Sequence, residues 1–188
     1  MHTTPAPTHP RRTLVMAAST RTGSVNQALA RHIADRLDNC APVEIVDLSD
    51  YPLPLYDGDL EARDGIPAAA ADLAGEIAAA HVLVLVSPEY NGTFTPLLKN
   101  TVDWVTRIDA SAFAHLQVLV ASASPGRGGG ANGVAMVRTW LANMGIDTAE
   151  RTLSVGGASV GLDGELMGID HAELTRFVSQ ATGERSAA

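Results

Sequence analysis

Apolar residues along this chain follow two rhythms. Short segments in which Val, Leu, Ile or Ala predominate occur at 13–19 (TLVMAAS), 43–48 (VEIVDL), 82–87 (VLVLVS), 115–124 (HLQVLVASAS) and, more briefly, 151–155 (RTLSV). Such runs, without polar alternation, predict strands covered on both faces. Between them apolar positions are three or four apart: Leu29, Ile33 and Leu37, then Leu73 and Ile77, then Leu98, Val102 and Val105, then Val134, Val137, Leu141 and Met144, and last Leu174, Phe177 and Val178. That spacing predicts amphipathic helices. Ser24 with Gln27 and Asp170 with Glu173 have capping-box spacing, and Thr95 followed by Pro96 predicts an N-cap and a first helical residue. Residues 49–67, SDYPLPLYDGDLEARDGIP, carry prolines and Asp-Gly pairs that argue against regular structure through most of the segment.

Five strand–helix alternations predict an α/β fold with a doubly wound, five-stranded parallel sheet. Right-handed crossovers then place helices on both faces, and the common strand order is 2-1-3-4-5. Residues 12–183 are expected to form a single domain between a disordered tail at 1–11 and a second tail at 184–188.

Composition narrows the chemistry. Of 188 residues, 46% are hydrophobic and 18% charged, with a net charge of −8, which disfavours nucleic acid as the main partner. The single cysteine, Cys40, allows no intramolecular disulfide and no metal cluster, and its expected place is a small buried thiol. No apolar run approaches a membrane span, and the apolar stretch after Arg11-Arg12 is shorter than an export signal needs. A cytoplasmic location is expected.

In such a sheet the strand order reverses between the first and third strands, opening a crevice at their carboxyl ends. The loops that meet there are 18–24, 87–95 and, after the fourth strand, 124–130. They are rich in Ser, Thr, Asn, Gly and Arg. The first, ASTRTGSVN, offers hydroxyls, one guanidinium and the N–H groups of a helix start, which suit a terminal phosphate. It lacks the GK[ST] signature of a triphosphate loop. The second, PEYNG, combines a planar aromatic, an amide and a flexible turn, which suit a flat heteroaromatic ring. A ligand with a phosphate at one end and a ring at the other has the outline of flavin mononucleotide (FMN). For each loop a plainer reading stays open: Ser24 as a simple cap with Arg21 solvated, and PEYNG as an ordinary connection with Glu89 complementing a helix N-terminus.

ASTRTGSVN, PEYNG with LLKNTVDW, SPGRGGGANG and, more weakly, YPLPLYDGDLE together resemble the NADPH-dependent FMN reductases. These flavodoxin-like proteins include quinone, chromate and azo-dye reductases. The resemblance covers most of residues 13–180 and implies an FMN-dependent oxidoreductase. Electrons would pass from NADPH or NADH through FMN to a small acceptor: a quinone, an azo compound, a metal oxyanion or free flavin. It further implies that Ser19, Arg21, Ser24 and Asn26 hold the phosphate. Pro88, Glu89, Tyr90, Asn91 and Gly92 would line the ribityl chain and isoalloxazine, with Ser124 and Gly126 closing the pocket. No side chain is assigned as catalytic acid or base, and no metal ligand is expected. Ala18, where the family often has Gly, and Thr95-Pro96, where Pro-Gly is common, depart from the pattern.

A homodimer or homotetramer is also implied, with Asp103, Trp104 and Arg107 as an interface, although Trp104 in the core with Arg107 solvated fits equally well. A flavodoxin-like electron carrier, or a flavin-free interaction protein on the same fold, is the alternative from a different class. Gly157 to Gly161 match the G-x-S-x-G pattern of serine hydrolases. His171 lies too close after Ser159 for the order of residues in that class.

Overall fold

The computed structural model describes residues 11–38 and 42–182. Apart from Arg11, the expected tails lie outside the described residues, as does Cys40. The strands are β1 (Thr13–Ala17), β2 (Val43–Asp47), β3 (Val82–Val86), β4 (Gln117–Ala123) and β5 (Leu153–Val155). They form one parallel sheet in the order β2-β1-β3-β4-β5. Every residue of β1 and β3 is buried. Successive side chains point to opposite faces, so β1, β3 and β4 each feed two cores. Leu14, Met16, Leu83, Leu85, Val118 and Val120 join one, and Val15, Ala17, Val84, Val86, Leu119 and Ala121 join the other.

The helices divide in the same way. On the first face lie α3 (Ala68–Ala79), α4 (Pro96–Ile108) and α5 (Ala131–Asn143), through Leu73, Ile77, Leu98, Val102, Val105, Val134, Val137 and Leu141. On the second lie α1 (Val25–Asp38) and α6 (His171–Thr182), through Leu29, Ile33, Leu37, Leu174, Phe177 and Val178. The doubly wound architecture is therefore the expected one, order included.

Three features add to or adjust the sequence reading. The segment 49–67 contains a helix, α2 (Gly58–Asp64). Its Asp-Gly pairs are caps rather than turns: the Asp57 carboxylate accepts from the Asp59 N–H, and Gly65, at φ +80°, donates to Glu61 O at 2.8 Å. Secondly, the glycine-rich stretch after β5 contains a short antiparallel hairpin, β6 (Ser159–Val160) and β7 (Leu166–Met167). Ser159, at the centre of the hydrolase-like pattern, is an exposed residue of that hairpin. Thirdly, β5 begins at Leu153, two residues later than expected.

The chain leading into α2 is strapped across α4. Pro54 O accepts from Trp104 Nε1 at 2.8 Å and Asn100 Nδ2 at 2.9 Å, while Asn100 Oδ1 accepts from the Tyr56 N–H at 2.8 Å. Trp104 is fully buried and meets Tyr56 edge-on, so it is a core residue. Arg107 pairs with Glu61 of α2, and Asp103 with Lys99 one turn earlier.

Glu61 is held below the usual carboxylate range by the Arg107 guanidinium, aided by the Tyr56 hydroxyl. Asp109 is lowered by the Ser111 hydroxyl and N–H, and Asp170 by the N–H groups of Glu173 and Ala172 at the start of α6. A depressed folded pKa contributes stability above the unfolded value and loses it as pH falls through the folded one. The melting temperature is thus expected to hold down to about pH 5 and to fall as pH drops from about 4 to 3. A profile flat to pH 3 in scanning calorimetry would show that these contacts do not stabilise the fold.

Candidate functional site

The candidate site is built from the three loops that leave the carboxyl ends of β1, β3 and β4. Their roots are tied together across the sheet. The Ala18 N–H donates to Val86 O at 2.8 Å, and the Ser87 N–H to Ala121 O at 3.0 Å. Thr95 adds a side-chain bridge: its Oγ1 donates to Ala18 O at 3.1 Å and accepts from the Leu98 N–H at 3.3 Å, capping α4. One buried hydroxyl thus joins the first loop to the helix that follows the second. Pro96 occupies the first position of α4 as expected.

In the first loop Ser24 caps α1, with Oγ accepting from the Asn26 N–H at 3.2 Å. The capping box is only half made. Gln27 turns away from Ser24 and donates through Nε2 to Ser19 O at 2.9 Å, fixing the curve of the loop. Arg21 is exposed, and its guanidinium has no partner among the described residues. The backbone N–H groups of Thr20, Arg21, Thr22 and Gly23 likewise have none. Donors without a partner among the described residues, beside the Arg21 guanidinium at the start of a helix, suit an anion.

Asn26 plays a different part from its neighbours. It is 3% exposed, its Nδ2 donates to Ala123 O at 2.8 Å, and its Oδ1 accepts from the Ala123 N–H at 2.9 Å. Both ends of the amide are engaged by the last residue of β4. Asn26 therefore fastens the start of α1 to the root of the third loop.

In the second loop Asn91 and Gly92, at φ +54° and +81°, form a tight reversal. It is closed by Tyr90 N–H to Thr93 O at 2.8 Å and Thr93 N–H to Tyr90 O at 3.1 Å. Positive φ at both central residues is what Asn-Gly favours. Pro88, just before the turn, is buried, and Tyr90, its first residue, is about half exposed. Glu89 points away from the reversal, toward the first turn of α5, where its Oε2 accepts from the Gly133 N–H at 3.0 Å.

The third loop, 124–130, rests on the turn that follows β5. Gly126 O accepts from the Gly129 N–H at 3.3 Å, the Gly157 N–H at 3.0 Å and Ser124 Oγ at 3.1 Å. Ser124 O accepts from the Ala158 N–H at 2.9 Å. The approach is backbone to backbone: a Cβ on Gly156 would lie 2.2 Å from Arg127 O. Gly156, and Gly157 at the start of the stretch that imitates a nucleophile elbow, therefore support this loop. The N–H groups of Gly126, Arg127 and Gly128 have no partner among the described residues and are available to a ligand.

The three loops, which hold ten of the eleven expected positions, thus meet at one sheet edge, and the eleventh, Asn26, lies in the first turn of α1. Ser19, Arg21 and Ser24 stand in the first, with Asn26 turned to β4. Pro88 to Gly92 stand in the second, with the Glu89 carboxylate turned to α5, and Ser124 and Gly126 form the third. Spacing did not reveal Thr95 as a bridge between loops, nor the contact of Phe94 with Trp140, whose rings stack at 4.7 Å with 19° between planes. Among the described residues no cluster of three or more His, Cys, Asp or Glu is placed to hold a metal.

Residues 11–159 match the family model of the NADPH-dependent FMN reductases. The chain is 34% identical to a probable NADPH:quinone oxidoreductase 2 of Oryza sativa subsp. japonica over 119 residues, 63% of this chain and 58% of the relative. It is 35% identical to a quinone reductase of Escherichia coli K12 over 122 residues, 63% of this chain and 62% of the relative. The match thus spans less than two thirds of either relative. Among solved structures, the flavoenzyme NAD(P)H:(acceptor) oxidoreductase FerB of Paracoccus denitrificans shares the fold, with a TM-score of 0.74 at 22% identity over 92% of this chain and 93% of that one. With the family model matching well over half of its length, the chain belongs to the NADPH-dependent FMN reductase family.

Proposed function

We propose that the protein is an FMN-dependent oxidoreductase that takes electrons from NADPH or NADH and passes them to a small acceptor such as a quinone or an azo compound. The observation that carries this is the pairing of donor sets at one sheet edge. Arg21 and the unpaired N–H groups of 20–23 lie on one side, and Tyr90 with the free N–H groups of 126–128 on the other. These residues fit FMN, since the first set is built for a phosphate dianion and the second for a flat ring bearing carbonyl oxygens.

Bound FMN would supply the hydride and electron chemistry. The chain's own contribution is positioning and charge. Arg21 and Ser19 would hold the phosphate, and the Gly126, Arg127 and Gly128 N–H groups would stabilise negative charge that develops on the ring. The turn at Asn91-Gly92 would set the edge of the slot, with Tyr90 beside it. No side chain is assigned a proton-transfer role.

We further assign a cytoplasmic location, a homodimeric or homotetrameric state and no nucleic-acid partner, in keeping with the net charge of −8. No helix among the described residues is long and apolar enough to cross a membrane. The absorbance spectrum of the purified protein, followed by anaerobic NADPH, tests the function. Flavin bands that bleach on addition are expected. A colourless protein that takes up no added FMN would overturn the proposal, and a yellow protein reduced only slowly by either nicotinamide would identify an electron carrier instead.

A further inference from the structure

We propose that Glu89 is a positioning residue: its carboxylate caps α5 and clamps the loop after β3 to the loop after β4, so that the two walls of the ring site behave as one body. Helix α5 begins without a local cap. Its N-cap is Gly130, in the left-handed region at φ +83°, with no side chain to accept from the first turn. Four N–H groups at a helix start need partners or water. The acceptor comes from 44 positions earlier in the chain: Glu89 Oε2 takes the Gly133 N–H at 3.0 Å, and Oε1 lies 3.4 Å from Asn132 Nδ2. A carboxylate is also the favoured charge at that end of a helix.

The backbone around the contact is shaped to admit it. A Cβ on Gly133 would lie 3.0 Å from Glu89 Cβ and 3.2 Å from its Cα, so a side chain there would push the two segments apart by a few tenths of an ångström. Five residues after Glu89, Phe94 stacks on Trp140, two turns further along α5. The reversal carrying Tyr90, Asn91 and Gly92 is therefore held against α5 at both of its ends. Because the charge of Glu89 is spent on the helix, it is not directed at a ligand. The assignment of these loops to the ring rests on the proposed function, but the clamp itself is a property of the chain alone.

Amide hydrogen exchange on the FMN-free protein and FMN titration by fluorescence test the clamp in Glu89→Ala and Glu89→Gln. In Glu89→Ala, loss of a charge-assisted hydrogen bond is expected to speed exchange in residues 126–134 and to raise the FMN Kd, each by roughly tenfold or more. In Glu89→Gln the amide oxygen still accepts from Gly133, so exchange and affinity are expected to stay within about threefold of the parent. Unchanged exchange at 126–134 in Glu89→Ala would overturn the proposal. So would a tenfold loss of affinity in Glu89→Gln with exchange unchanged, because the charge would then act on the ligand directly. Should Glu89→Ala fail to fold, the Glu89→Gln measurement decides alone. Titration of the parent separates the two proposals: a parent that binds no FMN refutes the flavin function while the exchange result still judges the clamp.

Discussion

Gly130→Ala is expected to destabilise the protein by about 2–4 kcal/mol, the sum of a left-handed alanine and an overpacked contact. Gly130 has φ +83°, and a Cβ there would lie 2.1 Å from Ser122 Oγ and 2.8 Å from Ser122 Cβ. Ser122 cannot retreat, because it is fully buried in β4 and its neighbours on both sides are buried strand residues. Its hydroxyl has no hydrogen-bond partner among the described residues. Ser122→Ala alone is therefore expected to be neutral or to stabilise by about 1 kcal/mol. Ser122→Gly removes both atoms that the new methyl would strike. In a double-mutant cycle by urea denaturation, Gly130→Ala and Ser122→Gly are expected to couple by more than about 1 kcal/mol. Additive values would show that this contact is not what requires glycine.

Arg21→Ala is expected to raise the FMN Kd roughly 10- to 100-fold, the range of a lost charge-assisted hydrogen bond. The stability of the FMN-free protein should not change. Arg21 is exposed, and its side chain touches no partner among the described residues, so nothing in the fold depends on it. Isothermal titration of the FMN-free protein measures the first quantity and thermal melting the second. Arg21→Lys should recover part of the affinity, since it restores the charge but not the planar fork. Affinity undiminished in Arg21→Ala would remove the first loop from the phosphate site.

How much of this was legible in advance depends on the reach of each contact. Thr95 and Pro96 declare the start of α4 because cap and first turn are adjacent in sequence. The half-made capping box at Ser24 shows the limit. Gln27 has the right spacing, yet the bent loop brings Ser19 O within reach of its amide, and that contact wins. Asp57-Gly58 and Asp64-Gly65 are turn signals that bracket a helix, because Asp suits an N-cap and Gly a C-cap as well as either suits a turn. Glu89 shows the opposite case. The plainer reading, in which it complements a helix N-terminus, names the interaction, but the helix is α5, 44 residues away.

The sequence by itself determined the strands, the main helices, the strand order and the three loops that meet at the switch point. The strands and helices follow from periodicity, which acts over short stretches of chain, and the order is the common one for a five-stranded doubly wound sheet with right-handed crossovers. Only the tertiary structure decided what the polar side chains do there. Asn26 joins α1 to β4 across 97 positions, Thr95 joins α4 to the first loop across 77, and Glu89 caps a helix that has no cap of its own. A buried amide, hydroxyl or carboxylate takes whichever partner the packed elements bring within about 3 Å, and that distance has no counterpart in local spacing.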